Sequence, residues 1–265
     1  MKSRSGSLNN IRGGLLVLGL AFFIWGGLWS PSAGFCAGLE DPGEGTGDGG
    51  HNPASFGELL EGFAEMSGLE ARFEEEKFLA LLAAPLRSSG RMYFAPPSTL
   101  LRRVETPRRQ DILIQADQVR ISSGESGESN GNGQGPNVQG DVQRIDLAGR
   151  GGIRPLVESM IWIFTGDRAS LERVYNVDYQ QFIEADGGGD KGPEPSNRWQ
   201  VRLTPKSAPL SGLIRELLVR GRGPGADTME LVETSGDRTV THILDADPRR
   251  EFSPAERLDL FGAGD

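Results

Sequence analysis

Cysteine, histidine and tyrosine are all scarce in this 265-residue chain, and it holds no unbroken apolar stretch of the roughly 20 residues that a membrane-spanning helix needs. With Cys36 as the lone cysteine, no internal disulfide can form, so the fold must rest on its core alone. The two histidines, His51 and His242, share metal-ligand spacing with nothing around them, which sets aside the common zinc sites. No serine or cysteine lies in a nucleophile signature. The glycine cluster "GRGPGAD" at 221–227 falls between two strand-like segments, and a phosphate loop needs a strand-to-helix junction; it reads as a hairpin turn. Basic residues number 28 against 37 acidic ones, a net charge of −9. That balance excludes a nucleic-acid partner, which requires a basic surface. No pair of carboxylates converges on a predicted pocket. The chain therefore does not read as an enzyme, and no cofactor or metal is implied.

What is present begins with the N-terminus. Lys2, Arg4 and Arg12 precede "LLVLGLAFFIWGGLW" at 15–29, which is broken by Gly19, Gly26 and Gly27. Pro31, Ser32, Ala33, Gly34 and Ala37 follow as a small-residue cleavage zone. This pattern predicts a secretory signal peptide over 1–37, with cleavage between Gly34 and Gly38 and export of the remainder. A membrane anchor is the competing reading, and the run is short for it. Lipid attachment at Cys36 would want a small residue before the cysteine, where Phe35 stands. Cleavage removes three positive charges and leaves the exported chain still more acidic. Residues 38–52 are glycine-rich and acidic, a flexible leader before a single domain over 53–265.

The domain opens with three- and four-residue spacing: Phe56, Leu59, Leu60 and Phe63 predict an amphipathic helix over 53–66, with Asn52 as its cap. The spacing then changes to two. Strands are expected over 69–82, with Phe73, Lys77, Leu79 and Leu81 on one face, and over 91–94, 100–105, 111–115, 118–121 and 141–147. "IRPLVESMIWIF" at 153–164 is a second apolar helix, and Ser170 a possible cap of a short turn after it. Further strands follow at 173–185, 198–204, 213–220, 227–234 and 239–246, with a Gly236-Asp237 hairpin before the last. Residues 253–261 suit one helical turn or two. Residues 122–140 and 186–197 are rich in Gly, Ser and Asn, too polar to pack, and read as disordered insertions in hairpin loops. The expected class is α+β: about 10–11 antiparallel strands in one large sheet, with helices on one face. One row of that sheet collects Phe73, Leu79, Met92 or Phe94, Leu113, Leu203, Leu217 and Leu231. An ordinary core is one reading of it; a core left open for a lipid tail is the other.

The stretch "ARFEEEKFLALLAAPLRSSGRMYFAPPSTLLRRVETP" resembles the first half of the periplasmic outer-membrane lipoprotein carrier family, the LolA type. The likeness lies in Ala71-Arg72-Phe73, Gly90-Arg91-Met92-Tyr93-Phe94, Pro96-Pro97, Leu101-Arg102 and Pro107. "RWQVRLTPKSAPLSGLIRELLVRG" and "GDRTVTHI" are similar to the family's later strands. The resemblance covers about 54–261. It implies a curved, incomplete antiparallel barrel with a lid of short helices over its concave face, and a cavity for acyl chains. It further implies a periplasmic, monomeric carrier of acylated lipoprotein or another lipid, an inner-membrane donor transporter and an outer-membrane acceptor. By that resemblance the cavity and lid residues are Phe73, Met92, Phe94, Leu101, Leu156, Met160, Trp162 and Ile163. The arginine that holds the lid falls on Arg102, with Arg103 as the rival register. An arginine follows Arg102 where the family usually has an aromatic, and "FTGDRASLERVYNV" is like divergent relatives, so the cargo is open between lipoprotein and another lipid. A lipid sensor or regulatory binding protein on the same fold is the alternative.

Overall fold

The computed structural model describes residues 52–115, 118–123, 141–147, 152–185 and 195–262. The proposed signal peptide with Cys36, the leader through His51, and residues 124–140 and 186–194 of the two insertions lie outside these. Alternation at period two becomes eleven antiparallel strands in one sheet. They are β1 (Leu69–Phe78), β2 (Leu86–Ala95), β3 (Thr99–Thr106), β4 (Gln110–Gln115), β5 (Gln118–Ser123), β6 (Asp141–Asp146), β7 (Tyr175–Ala185), β8 (Pro195–Pro205), β9 (Ile214–Arg222), β10 (Gly225–Glu233) and β11 (Arg238–Asp247). Among the described residues four α-helices accompany them: α1 (Phe56–Ala64), α2 (Arg154–Phe164), α3 (Arg168–Val174) and α4 (Pro254–Phe261).

The strand order is β6-β5-β4-β3-β2-β1-β11-β10-β9-β8-β7. Two meanders, β1 to β6 and β7 to β11, are therefore stitched together along a single seam between β1 and β11, from Glu70 opposite Asp247 to Phe78 opposite Arg238. The outermost strands β6 and β7 are not paired with each other, so the sheet is curved but not closed. This is the incomplete antiparallel barrel with a helical lid that the sequence patterning and the resemblance suggest.

Directly opposed residues share a face. Phe73 opposite Gly90, Ala71 opposite Met92, Met92 opposite Arg102 and Arg102 opposite Ile112 follow one face across four strands. On the far side of the seam the same face runs through Thr241, Met229, Val219 and Val201. This is the concave face, and α1 and α2 pack onto it: Phe63 meets Trp199 edge-on at 6.3 Å, and Phe94 stacks on Phe164 at 5.1 Å.

Several expectations are corrected. β1 ends at Phe78, not Leu82, and Leu81 is 96% exposed where a buried strand position was expected. Alternation stops there because residues 79–85, "LALLAAP", turn back: the Leu82 N–H reaches Leu79 O, and the Ala80 N–H leaves the ladder for Asp237 Oδ1. β2 starts at Leu86, five residues before Arg91, because cross-strand pairing to β1 carries the polar "LRSSG" that propensity alone leaves out. Residues 195–197 belong to β8 and 122–123 to β5, so both insertions are shorter than expected. Ser55, not Asn52, caps α1 by accepting from the Glu58 N–H; Asn52 instead accepts from the Gly223 N–H in the β9–β10 turn. Asp167 caps α3, accepting from the Ser170 N–H, so Ser170 is on the other side of the bond assigned to it. Finally, α4 packs on the convex face, through Phe252 and Phe261 against Tyr93, Leu101 and Leu113. The helices therefore divide between two faces.

Candidate functional site

Under α1 the concave face is wholly apolar. Phe56, Leu59, Leu60 and Phe63 recur at helical spacing and point to the sheet, where Trp199, Val201, Leu203 and Val219 rise to meet them. Between these layers, with Ile163 of α2 closing one side, is a narrow slot with free space of only about 10 Å³ and no polar lining group. Trp199 forms its floor and is wholly buried; its indole N–H donates to Gly223 O at 2.9 Å. Gly221 makes room for that ring, because a Cβ there would lie 2.5 Å from Trp199 Cζ2 and 2.0 Å from Gly225 O.

Just past the end of α2, Gly166 lies against α1. It adopts φ +68°, and a Cβ on it would meet Leu60 O at 2.6 Å and Ala64 Cβ at 2.9 Å. Behind α2, the buried hydroxyls of Ser159 and Tyr175 lie 2.6 Å apart, and Ser159 Oγ also donates to Pro155 O. Burial pushes the Tyr175 phenol up to about 12, against the opposing pull of the Ser159 hydroxyl.

Further along the concave face, toward the β10–β11 hairpin, the apolar lining gives way to a buried polar row. Arg102 Nη2 donates to Glu75 Oε2 at 2.7 Å, and the Glu75 side chain is fully buried. Glu75 also accepts from Thr241 Oγ1 at 3.0 Å and Ser88 Oγ at 3.4 Å. The Arg102 guanidinium covers the Phe73 ring at 4.2 Å. One step along, Lys77 Nζ lies 3.5 Å from Glu233 Oε1, both nearly buried, beside Thr239, whose Oγ1 has no partner among the described residues. Two buried ion pairs, each with its own charges matched, thus stand on the concave wall.

Of the residues singled out from sequence, Phe73, Met92, Phe94 and Arg102 share the concave face. Leu156, Met160 and Ile163 are buried on α2. Leu101 is not with them: it is paired with Leu113 on the convex face, under α4, so neither residue joins the concave row. Trp162 is half-buried, with the Arg173 guanidinium 5.9 Å from its ring, and does not line the slot. Leu203, Leu217 and Leu231 of the expected row are on the concave face, and Leu79 lies beyond the end of β1. Arg103, the rival to Arg102, is on the convex face and forms a two-pronged ion pair with Asp111. Among the described residues Arg102 holds a carboxylate on the sheet and no helix carbonyl. The α1 residues that roof the slot were missing from the sequence assignment, although their spacing was plain.

Among the described residues no helix is long and apolar enough to cross a membrane, and no group of three or more His, Cys, Asp or Glu could hold a metal. Residues 52–249 match a protein family described as outer membrane lipoprotein carrier protein LolA-like. No curated protein matches the chain. Among solved structures it is similar to a LolA superfamily protein from Nitrosomonas europaea, with 12% identity, 74% of this chain and 94% of that one covered, and a TM-score of 0.36. A DUF1329 family protein from Desulfovibrio piger gives 9% identity, 78% and 97% coverage, and a TM-score of 0.35. A putative outer membrane lipoprotein-sorting protein domain from Vibrio parahaemolyticus gives 10% identity, 76% and 93% coverage, and a TM-score of 0.31.

Proposed function

The chain belongs to the outer membrane lipoprotein carrier protein LolA-like family, and from that premise we propose that it is a periplasmic carrier that shields the acyl chains of lipoproteins or related lipids during transfer toward the outer membrane. The observation that supports this reading is the all-apolar slot between α1 and the sheet, closed on one side by Ile163 of α2. Inside the slot the roof meets the sheet through apolar side chains, and an acyl chain offers the same contact to both layers. The hydrogen bonds that tie the roof down lie at its margins, at Asn52 and Pro53 before α1 and between Ser159 of α2 and Tyr175. The slot as it stands is the closed form. The proposed cargo path runs from α1 (Leu59, Leu60, Phe63) and α2 (Leu156, Met160, Ile163) toward Phe94, Met92 and Phe73, and ends at the Arg102–Glu75 pair. Leu101 and Trp162 are left out of it. The role is carriage, not catalysis, in a monomer that accepts cargo from an inner-membrane transporter and yields it to an outer-membrane acceptor.

The test is binding and transfer of a fluorescent acylated lipopeptide. The wild type should take up one lipopeptide and shield its dye from water. Leu60→Glu, which places a charge in the slot, should weaken uptake by tenfold or more. If no acylated ligand binds, the carrier reading fails. If a lysolipid binds and the lipopeptide does not, the cargo is a different lipid.

A further inference from the structure

The hairpin between β1 and β2 has an unusual tip. Residues 79–85 are Leu, Ala, Leu, Leu, Ala, Ala and Pro, with no polar side chain among the seven. Leu81 is 96% exposed and Leu82 43%, two of the five large apolar side chains left most open on the described surface. The loop is nonetheless held in shape. Its turn is closed by the Leu82 N–H to Leu79 O bond at 2.9 Å, and the Ala80 N–H is held by Asp237 Oδ1 of the neighbouring hairpin at 2.9 Å. A collar of charge surrounds the base: Arg87 paired with Glu76 at 2.9 Å, and Arg238 paired with Glu230 at 3.5 Å and lying 4.3 Å from the Phe78 ring.

We propose that the 79–85 tip is a membrane-contact site that inserts Leu81 and Leu82 into the acyl region of an electrically neutral lipid surface. Three features favour lipid over a protein partner or a second copy. The tip is convex and spans seven residues, whereas a stable protein interface takes roughly 20–30 residues a side. Its side chains offer no hydrogen-bonding group that would fix a partner's orientation, which a fluid surface does not need. Its backbone is partly satisfied before contact, by the turn and by Asp237, so insertion strands fewer polar groups in hydrocarbon. The surrounding charge selects the surface: the collar arginines are matched by carboxylates, and the chain as a whole is at −9, which opposes approach to an anionic bilayer. Arginine stems can lie along the lipid boundary with their guanidinium groups at headgroup level. Burying each leucine should shift partition by about tenfold to a hundredfold. This inference goes beyond the carrier reading and does not depend on it.

The experiment places an environment-sensitive dye on the full chain. In a Cys36→Ser background, which removes the natural cysteine, Leu81→Cys carries the dye at the tip. Leu258→Cys, on exposed α4, carries it on the convex face as the control. Each protein is titrated with neutral phosphatidylcholine vesicles. Dye at 81 should brighten and shift to the blue, dye at 258 should not, and Leu82→Asp should move the vesicle midpoint for the 81 probe at least tenfold higher. The response should persist at high salt, because it is apolar. A silent probe at 81, an equal response at both positions, or an unchanged midpoint in Leu82→Asp would overturn the proposal. So would a dimer in the absence of lipid that Leu81→Asp dissociates, since that would assign the tip to a second copy. Both leucines are exposed, so these variants should fold as the wild type does. Lipopeptide binding by the same variants should be unaltered, which separates this site from the slot.

Discussion

At the scale of single residues, the Arg102–Glu75 pair decides between two uses of the arginine. A lid latch would be mild to remove; a counter-ion for a buried carboxylate would not. Because the Glu75 side chain is fully buried, Arg102→Leu should cost about 3–5 kcal/mol by leaving that charge uncompensated. The double variant Arg102→Leu/Glu75→Leu should recover more than half of the loss, since both charges then leave together. Urea unfolding of the wild type, the single and the double variant reads this directly; a single variant as stable as the wild type would return Arg102 to the lid. Tyr175 supplies a second prediction. Its phenol ordinarily ionises near 10 and is pushed up to about 12 in the fold. Between those values the unfolded chain has released a proton that the folded one keeps, so stability falls as pH rises through this window, by about 2–3 kcal/mol. Tyr175→Phe should flatten that part of the alkaline slope, measured as urea midpoints between pH 9 and 12. The sequence could place Arg102 and Arg103 only on opposite faces; it could not say which face was concave. Leu101 shows why. Both faces of β2 and β3 are covered here, by the roof helices on one side and α4 on the other, and the β2 end reads buried at four successive positions. Alternation cannot mark an inside where neither side is wet.

At the scale of elements, α1 and α2 were legible because apolar residues recur at helical spacing, and α4 because Ser253 and Glu256 form a capping box with Pro254 at the first helical position. Their destinations were not legible, since periodicity gives a helix an apolar stripe but not the surface it meets. In the turn after α2, Gly166 packs closely against α1. Gly166→Ala forces a side chain into a left-handed backbone position, at roughly 1–2 kcal/mol, and drives a methyl against Leu60 O and Ala64. The expected outcome is a lower melting temperature together with faster uptake of the fluorescent lipopeptide, because α1 is pushed from α2. Stopped-flow uptake separates this from simple loss of fold: slower uptake or a lost binding end point would show that the contact shapes the cavity without gating it.

At the scale of the whole molecule, the antiparallel class, the approximate strand count and the two groups of strands could be read from alternation and turn residues. The seam could not, because nothing local in β1 names β11 as its partner across 160 to 177 positions. The seam makes one cooperative unit from two meanders. Ending the chain after residue 237, which removes β11, should abolish the single unfolding transition. Ending it after residue 251, which removes Phe252 and α4 but keeps the seam, should lower the midpoint and preserve one transition. Circular dichroism during urea titration distinguishes them, and a sharp transition in the shorter chain would show that one meander folds by itself.

The position of β11 also sets a schedule. During synthesis β1 emerges early and β11 last among the strands, so β1 presents a row of unpaired amides and carbonyls for most of that time, and β10 presents another from its own emergence until β11 follows. Bare strand edges of nine or ten residues are templates for pairing with the wrong neighbour. The nascent protein is therefore most exposed to self-association just before its final hairpin is complete, and the Gly236 turn that brings β11 back between those two edges ends that interval.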